Sequence, residues 1–181
     1  MPFSVTDFQS NLIYGGARPS LFEVQIFNPI NSSGDSLTPF FVRSSQIPAS
    51  TLGTITLPYF GRQVKIAGNR TFAEWSPTII NDEDFLIRNA MEEWSFAINT
   101  HRKNLRLAGG PNQYKSAASV TQYGKAGDIL RVYQFEGLWC SEVAAIDLNW
   151  ETEGVEEFGV TFQYDYWRVV GGSTNTGALN D

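Results

Sequence analysis

Residues 61–98, GRQVKIAGNRTFAEWSPTIINDEDFLIRNAMEEWSFAI, contain the pattern that decides the fold. In the second half of this stretch apolar residues recur at steps of four, three and four, the spacing of one helical face. Asn81 stands at the expected N-cap, and the three carboxylates after it favour the free N–H groups of a first turn. The sequence therefore predicts a helix over about residues 82–99, with a core face of Ile87, Met91, Trp94 and Ile98.

The rest of the chain has the alternation of β-strands. Gly68-Asn69 lies between two strand-like runs and predicts a two-residue hairpin turn. Other alternating runs occur at residues 21–27, 129–135, 145–150 and 158–167, the last being the most regular. A helix with one apolar face must bury it against another element. The predicted fold class is therefore mainly β with one α-helix: an antiparallel β-barrel or sandwich flanked by that helix.

Composition limits the classes of function. The 181 residues, 42% hydrophobic, predict one domain large enough to bury about two thirds of its unfolded surface. A net charge of −6 argues against tight binding to nucleic acid or anionic membranes. The single cysteine excludes an internal disulfide and a cysteine-based zinc site. With no apolar run of about 18 residues and no basic, apolar start, we expect no membrane insertion and assembly in a cytoplasm.

The segment 46–60, QIPASTLGTITLPYF, is apolar and almost free of charge. One interpretation is an edge strand that crosses the domain's own core. The other is a loop or hairpin that docks on a neighbouring subunit, since such a segment is poorly explained as solvated. Under the second interpretation the predicted subunit interface comprises Ile47, Leu52, Ile55, Leu57, Tyr59 and Phe60.

No catalytic motif is found, and the sequence predicts no enzyme activity, no cofactor and no metal site. The one histidine, His101, follows the predicted helix, where capping of the helix end is favoured over catalysis. Cys140 follows Trp139 in an apolar run and is predicted to be a buried, inert thiol. The pairs Glu92-Glu93 and Glu156-Glu157 are expected to be solvated. A glycosidase pair and a carbohydrate-stacking tryptophan platform remain the alternatives, as in a monomeric carbohydrate-binding or hydrolytic β-sandwich.

Several short blocks are spread over residues 17–167: Ala17-Arg18-Pro19 with Leu21-Phe22, Val64–Phe72 with Trp75, Asn81-Asp82-Glu83, Tyr114-Lys115-Ser116, Gln122-Tyr123, Gly137-Leu138-Trp139, Asp147-Leu148 with Trp150, and Asp165-Tyr166-Trp167. In sequence and in order, these blocks resemble the tail tube proteins of contractile-tailed, T4-like bacteriophages. The chain departs from the family pattern in a longer turn at residues 28–38 and in an extension after residue 167. A tube-initiating baseplate protein is the alternative within the same structural class.

The resemblance implies a structural subunit related to the tube proteins of bacteriocin particles and type VI secretion systems. Six copies would close a ring by joining their sheets, and rings would stack into a hollow tube inside a contractile sheath. The expected partners are other copies, the sheath, the tape-measure protein, and baseplate and terminator proteins, in a virion tail. DNA would pass through without tight binding. The predicted organisation is an arm over residues 1–16, a tube domain over 17–167 and a flexible tail over 168–181.

Overall fold

The computed structural model describes residues 4–12 and 15–174. Its strands are β1 Phe22–Ile26, β2 Val42–Ser44, β3 Ser50–Tyr59, β4 Arg62–Phe72, β5 Thr78–Ile80, β6 Ser116–Tyr123, β7 Ile129–Val143, β8 Glu157–Gln163 and β9 Tyr166–Gly171. Its helices are α1 Val5–Asn11, α2 Thr38–Phe41, α3 Leu86–Ile98 and α4 Pro111–Tyr114, with a 3-10 turn at Ser32–Gly34. The predicted fold class is confirmed, and α3 is the one helix longer than two turns among the described residues.

The long strand β7 belongs to both halves of a curled antiparallel sheet. Its first part pairs with β6 on one side and β9 on the other, and β6 pairs with β1. Its last part pairs with β8, which continues through β5 to β2. Gly137 lies between the two parts with φ +68°, a conformation that glycine adopts without the steric cost of a Cβ. The sheet thus bends at Gly137.

Both halves of the sheet and α3 enclose one apolar core. Trp75 stacks on Phe135, with ring centroids 4.6 Å apart, and Phe162 touches both Trp75 and Trp94. The predicted helix face lies here: Ile87, Met91 and Trp94 are buried, and Ile98 is half-buried and packs against the same cluster. Other buried members are Val24, Ile26, Val42, Ile79, Ala118, Val120, Leu138, Cys140, Phe158 and Val160.

The predicted start of the helix is wrong. The α3 helix begins at Leu86, after Phe85 in a left-handed conformation with φ +53° and no side-chain cap. Asn81 is instead held by Glu156: its backbone N–H donates to the Glu156 carbonyl at 2.8 Å, and its side-chain amide to the carboxylate. This distant partner places residues 81–84 in a turn before the helix.

Three other predicted boundaries also move. Residues 158–167 form two strands, because pairing with β7 is interrupted at residues 164–165, where the chain bends and the Asp165 N–H donates to the Glu136 carbonyl. Arg168 to Gly171 pair with β7, so the sheet extends past the predicted domain end at residue 167. Residues 145–150 form no strand, because pairing with β8 ends at Val143. The predicted arm contains α1, capped by the Ser4 side chain, and most of the predicted tail, 175–181, lies outside the described residues.

Candidate assembly surface

The strands β3 and β4 form a hairpin that pairs with no other strand in the described part of the chain. Ten residues of β3 span about 33 Å at the rise of an extended strand. Phe60 and Gly61 make its tip, with φ of +44° and +78°. Positive φ at both central residues is typical of the two-residue turn that matches strand twist. The hairpin is a long arm that leaves the folded body.

The predicted turn at Gly68-Asn69 is wrong. Both residues lie inside β4, where the register shifts between Leu52 and Thr54 on the partner strand. A Cβ on Gly68 would come within 3.2 Å of the Gly53 carbonyl oxygen, so the two backbones approach closely here. Gly68-Asn69 is therefore part of a β-bulge, which bends the arm and increases its twist.

The register divides the outer part of the arm into two faces. Ile55 lies opposite Ile66, and Leu57 opposite Val64. Since strand residues alternate between faces, these four side chains share one face with Tyr59. Each of the five remains 47–66% exposed. The opposite face carries mainly polar and small residues: Thr54, Thr56, Pro58, Gln63, Lys65 and Ala67. We call Ile55, Leu57, Tyr59, Val64 and Ile66 the apolar arm face.

Three of the predicted interface residues lie on the apolar arm face, and the other three do not. Phe60 is at the tip and 92% exposed. Leu52 is exposed but alternation places it on the opposite face, across from Arg70. Ile47 precedes the arm and packs, half-buried, against the domain's own core. Val64 and Ile66 also lie on this face but were not among the predicted residues, although the alternation of residues 63–66, Gln-Val-Lys-Ile, is a strand signal.

Two strands end the curled sheet half that contains β6. One is β1, which pairs with β6 alone, and the other is β9, which pairs with β7 alone, among the described residues. The Thr38 hydroxyl accepts the Ile26 N–H at 3.2 Å, which covers one end of the β1 edge. Unpaired strand edges can accept another strand, so these two edges are further candidates for contact between copies.

The candidate chemical groups do not converge into a catalytic arrangement. The His101 ring lies against Phe96, with centroids 5.4 Å apart. Among the carboxylates expected to be solvated, Glu92 pairs with Arg88 at 2.8 Å, and Glu93 accepts the Asn31 amide at 2.6 Å. Glu156 and Glu157 are tied to Asn81 and Arg43. Within residues 4–12 and 15–174, no group of three or more His, Cys, Asp or Glu side chains is placed to hold a metal ion.

The thiol of Cys140 is buried, and burial raises its pKa to about 12. A thiolate is the reactive form of cysteine, so this environment makes the thiol inert.

In the part of the chain that the structure covers, no helix is both long and apolar enough to cross a membrane.

The tryptophans do not form a platform for sugar rings. Trp75 and Trp94 are buried, and Trp139 and Trp167 are half-buried against the core. Trp150 is fully exposed in the loop between β7 and β8. One isolated exposed tryptophan gives no row of rings on which a carbohydrate could stack.

Proteins similar to this chain are found both by sequence and by structure. A sequence model described as "Phage tail tube protein" matches residues 17–170. The tail tube protein gp19 of Enterobacteria phage T4 is 32% identical over 153 residues, which cover 83% of this chain and 90% of that protein. The tail tube protein of Serratia phage KSP90 is 24% identical over 106 residues, 59% of each chain.

Two solved structures share the fold at low sequence identity. One is from an extracellular contractile injection system, the PVC sheath-tube complex in its extended state. It has a TM-score of 0.62 at 11% identity and covers 93% of this chain and 99% of that one. The other is the tube-terminating cap of the anti-feeding prophage, with a TM-score of 0.64 at 15% identity, 86% of this chain and 91% of that chain. The family match, the identity to gp19 and the shared fold lead to one conclusion: this chain belongs to the phage tail tube protein family.

Proposed function

We propose that this chain is the structural subunit of a hollow tail tube, and that its β3–β4 arm joins each copy to a neighbour, most naturally one in the adjacent ring. The observation that carries this proposal is the apolar arm face, which nothing in the chain's described residues covers. An isolated two-stranded hairpin is at best marginally stable in water. A neighbouring copy would supply the missing packing surface for five apolar side chains.

The free edges of β1 and β9 support ring closure by the same reasoning. If β1 of one copy pairs with β9 of the next, the sheets continue around the ring and neither of these two edges remains open. Such a contact uses two different surfaces of the subunit, and contacts of this type close into a ring when the rotation allows it. Six copies per ring, stacked into a tube, is the arrangement that the family resemblance implies.

The same resemblance supplies the surroundings of the tube. We place it in the virion tail inside a contractile sheath, capped by terminator proteins and started on a baseplate, after assembly in the bacterial cytoplasm. The solved relatives belong to a sheath-tube complex and a tube-terminating cap. The tube would first hold a tape-measure protein and later let DNA pass. The charge of −6 per chain suits a conduit that repels phosphate. The subunit acts as a structural component and not as an enzyme.

Substitutions on the two faces of the arm test the proposal. Ile55→Asp or Leu57→Asp places a charge in a contact that should be dry, which is strongly unfavourable. We expect a folded subunit by circular dichroism and no tubes by electron microscopy. Thr56→Asp is the matched control, because it adds the same charge between those positions but on the opposite face. Long tubes built by both apolar-face variants would show that the arm makes no subunit contact.

A further inference from the structure

Two exposed loops lie at opposite ends of α3. The loop of residues 144–156, here the acidic loop, joins β7 to β8 and is tied to the start of the helix, since Arg88 Nη1 donates to the Ala144 carbonyl at 3.3 Å. The loop of residues 99–107, here the basic loop, follows the end of the helix, where the Leu107 N–H donates to the Ala97 carbonyl at 3.1 Å. The helix between these two attachment points has 13 residues and is about 20 Å long.

The acidic loop presents apolar side chains between free carboxylates. Trp150 is fully exposed, Leu148 is 83% exposed and Val155 is 70% exposed. Asp147, Glu151 and Glu153 are exposed as well, and no ion pair in the described part of the chain engages them. The tip is ordered by its own hydrogen bonds, because the Asn149 side chain accepts the Glu151 N–H at 3.0 Å. An exposed tryptophan on such a turn is a typical anchor of protein contacts.

The basic loop has the opposite charge and its own apolar residues. Arg102, Lys103 and Arg106 are exposed, and the ion pairs among residues 4–12 and 15–174 do not include them. Leu105 and Leu107 are 54% and 61% exposed. Thr100 fixes the loop, since its N–H donates to the Leu105 carbonyl at 2.9 Å and its hydroxyl accepts the Leu105 N–H at 2.9 Å.

We propose that the acidic loop of one copy docks on the basic loop of the next, so that copies meet head to tail along the direction of α3. Three carboxylates then face three cations, and Trp150 packs with Leu105 and Leu107. The contact joins unlike surfaces at opposite ends of α3 on each subunit, so it propagates from copy to copy, as closed rings and stacked rings require. The helix dipole favours carboxylates near the start of α3 and cations near its end. It does not explain why each loop also exposes apolar side chains to water.

The partner that docks on each loop is a second copy of this chain, because the chain itself carries the surface complementary to each loop. The two loops match in the number of free charges and in exposed apolar side chains, and each is held in shape by its own hydrogen bonds. This inference rests on the proposed self-assembly, and adds a contact separate from the β3–β4 arm and the strand edges.

Cysteine cross-linking between two different variants tests the contact. One variant carries Gly154→Cys, where a Cβ meets open space, and the other carries His101→Cys. Both retain every charged and apolar side chain named above. The native Cys140 is buried with its pKa raised to about 12, so it does not compete. The two variants are mixed under assembly conditions and oxidised, and disulfide-linked dimers are quantified. The control mixture replaces His101→Cys with Ala126→Cys, an exposed position in the turn between β6 and β7.

We expect the Gly154→Cys and His101→Cys mixture to give at least about tenfold more dimer than the control, because docked loops raise the effective concentration of the two thiols. Adding Glu151→Lys and Glu153→Lys to the first variant should remove this excess. Adding Arg102→Glu and Lys103→Glu to the second should then restore it, since the charges are again complementary. High salt should lower the yield.

Two results would overturn the loop pairing. The first is a dimer yield no higher than in the control while tubes still form, which would leave the proposed tube function intact. The second is efficient dimer formation by either variant alone, which would mean that like loops meet. A chain that forms neither tubes nor dimers would refute both proposals. Dimers without tubes would support the loop pairing and refute the tube.

Discussion

Replacement of Trp94 by alanine should be one of the most destabilising single changes in this chain. The side chain is fully buried, and its ring centroid lies 5.9 Å from that of Phe162. Its Nε1–H donates to the Tyr114 carbonyl at 2.7 Å, which links α3 to α4. Trp94→Ala therefore removes a large aromatic ring from the core and also takes the donor away from a backbone carbonyl.

The expected cost follows from these two losses. Emptying a large aromatic from a core costs about 3–5 kcal/mol, and the upper half of this range applies because a carbonyl loses its partner. That is a large part of the roughly 5–15 kcal/mol that stabilises a typical domain. Trp94→Phe keeps an aromatic ring but loses the hydrogen bond, so we expect a cost of about 1–3 kcal/mol.

Urea unfolding of the monomeric chain, followed by far-ultraviolet circular dichroism, measures these costs without depending on tryptophan fluorescence. Trp150→Ala is the matched control, because it deletes the same side chain at a fully exposed position. It should change the free energy of unfolding by no more than about 0.5 kcal/mol. Equal unfolding midpoints for Trp94→Ala and Trp150→Ala would refute the account of the core.

Three further predictions concern other parts of the chain. Burial raises the pKa of Cys140 from 9.0 to about 12, so the unfolded state loses this proton first. Stability should fall as pH rises from 9 to 12, and Cys140→Ala should lessen the fall in the urea midpoint. Gly137→Ala should cost about 1–3 kcal/mol in the same assay, because φ there is +68° and a Cβ would displace Asp165 from Lys115. Assembled tubes should not change the gel mobility of duplex DNA near 0.15 M salt, since each chain has a net charge of −6. Salt-sensitive binding of the DNA at micromolar concentrations would contradict this.

The sequence predicted the helix and its buried face well, because helical periodicity is a local signal. It failed at the start of the helix. Asn81 has the chemistry of an N-cap, but its partner is Glu156, 75 positions away in sequence. No local rule could reveal that pairing, since it depends on β5 and β8 lying side by side.

The turn of the arm was also misplaced for a physical reason. Gly68-Asn69 has the composition of a hairpin turn, whereas the actual tip includes Phe60, an unusual residue at positive φ. A glycine in a strand-like run can mark either a turn or a bulge. Here the pairing of β4 with β3 decides for a bulge, because it places Gly68-Asn69 opposite Gly53. That pairing is known only from the register of the two strands.

The apolar composition of residues 46–60 singled out a segment that contains an exposed strand, but it could not show which residues share a face. Alternation on β3 separates Leu52 from Ile55, and pairing with β4 adds Val64 and Ile66. Gln63 precedes Val64, and Lys65 separates it from Ile66, so the apolar row is hidden when the sequence is read without its partner strand. Ile47 shows the opposite case, because its contact with the domain's own core depends on tertiary packing.

Electron microscopy of the purified wild-type chain, combined with its mass in solution, tests whether the chain assembles into tubes. We expect rings with a central channel that stack into hollow tubes as protein concentration rises. A uniform population of 20.2 kDa monomers at every concentration would contradict it, and would leave the apolar arm face without the partner for which it is built.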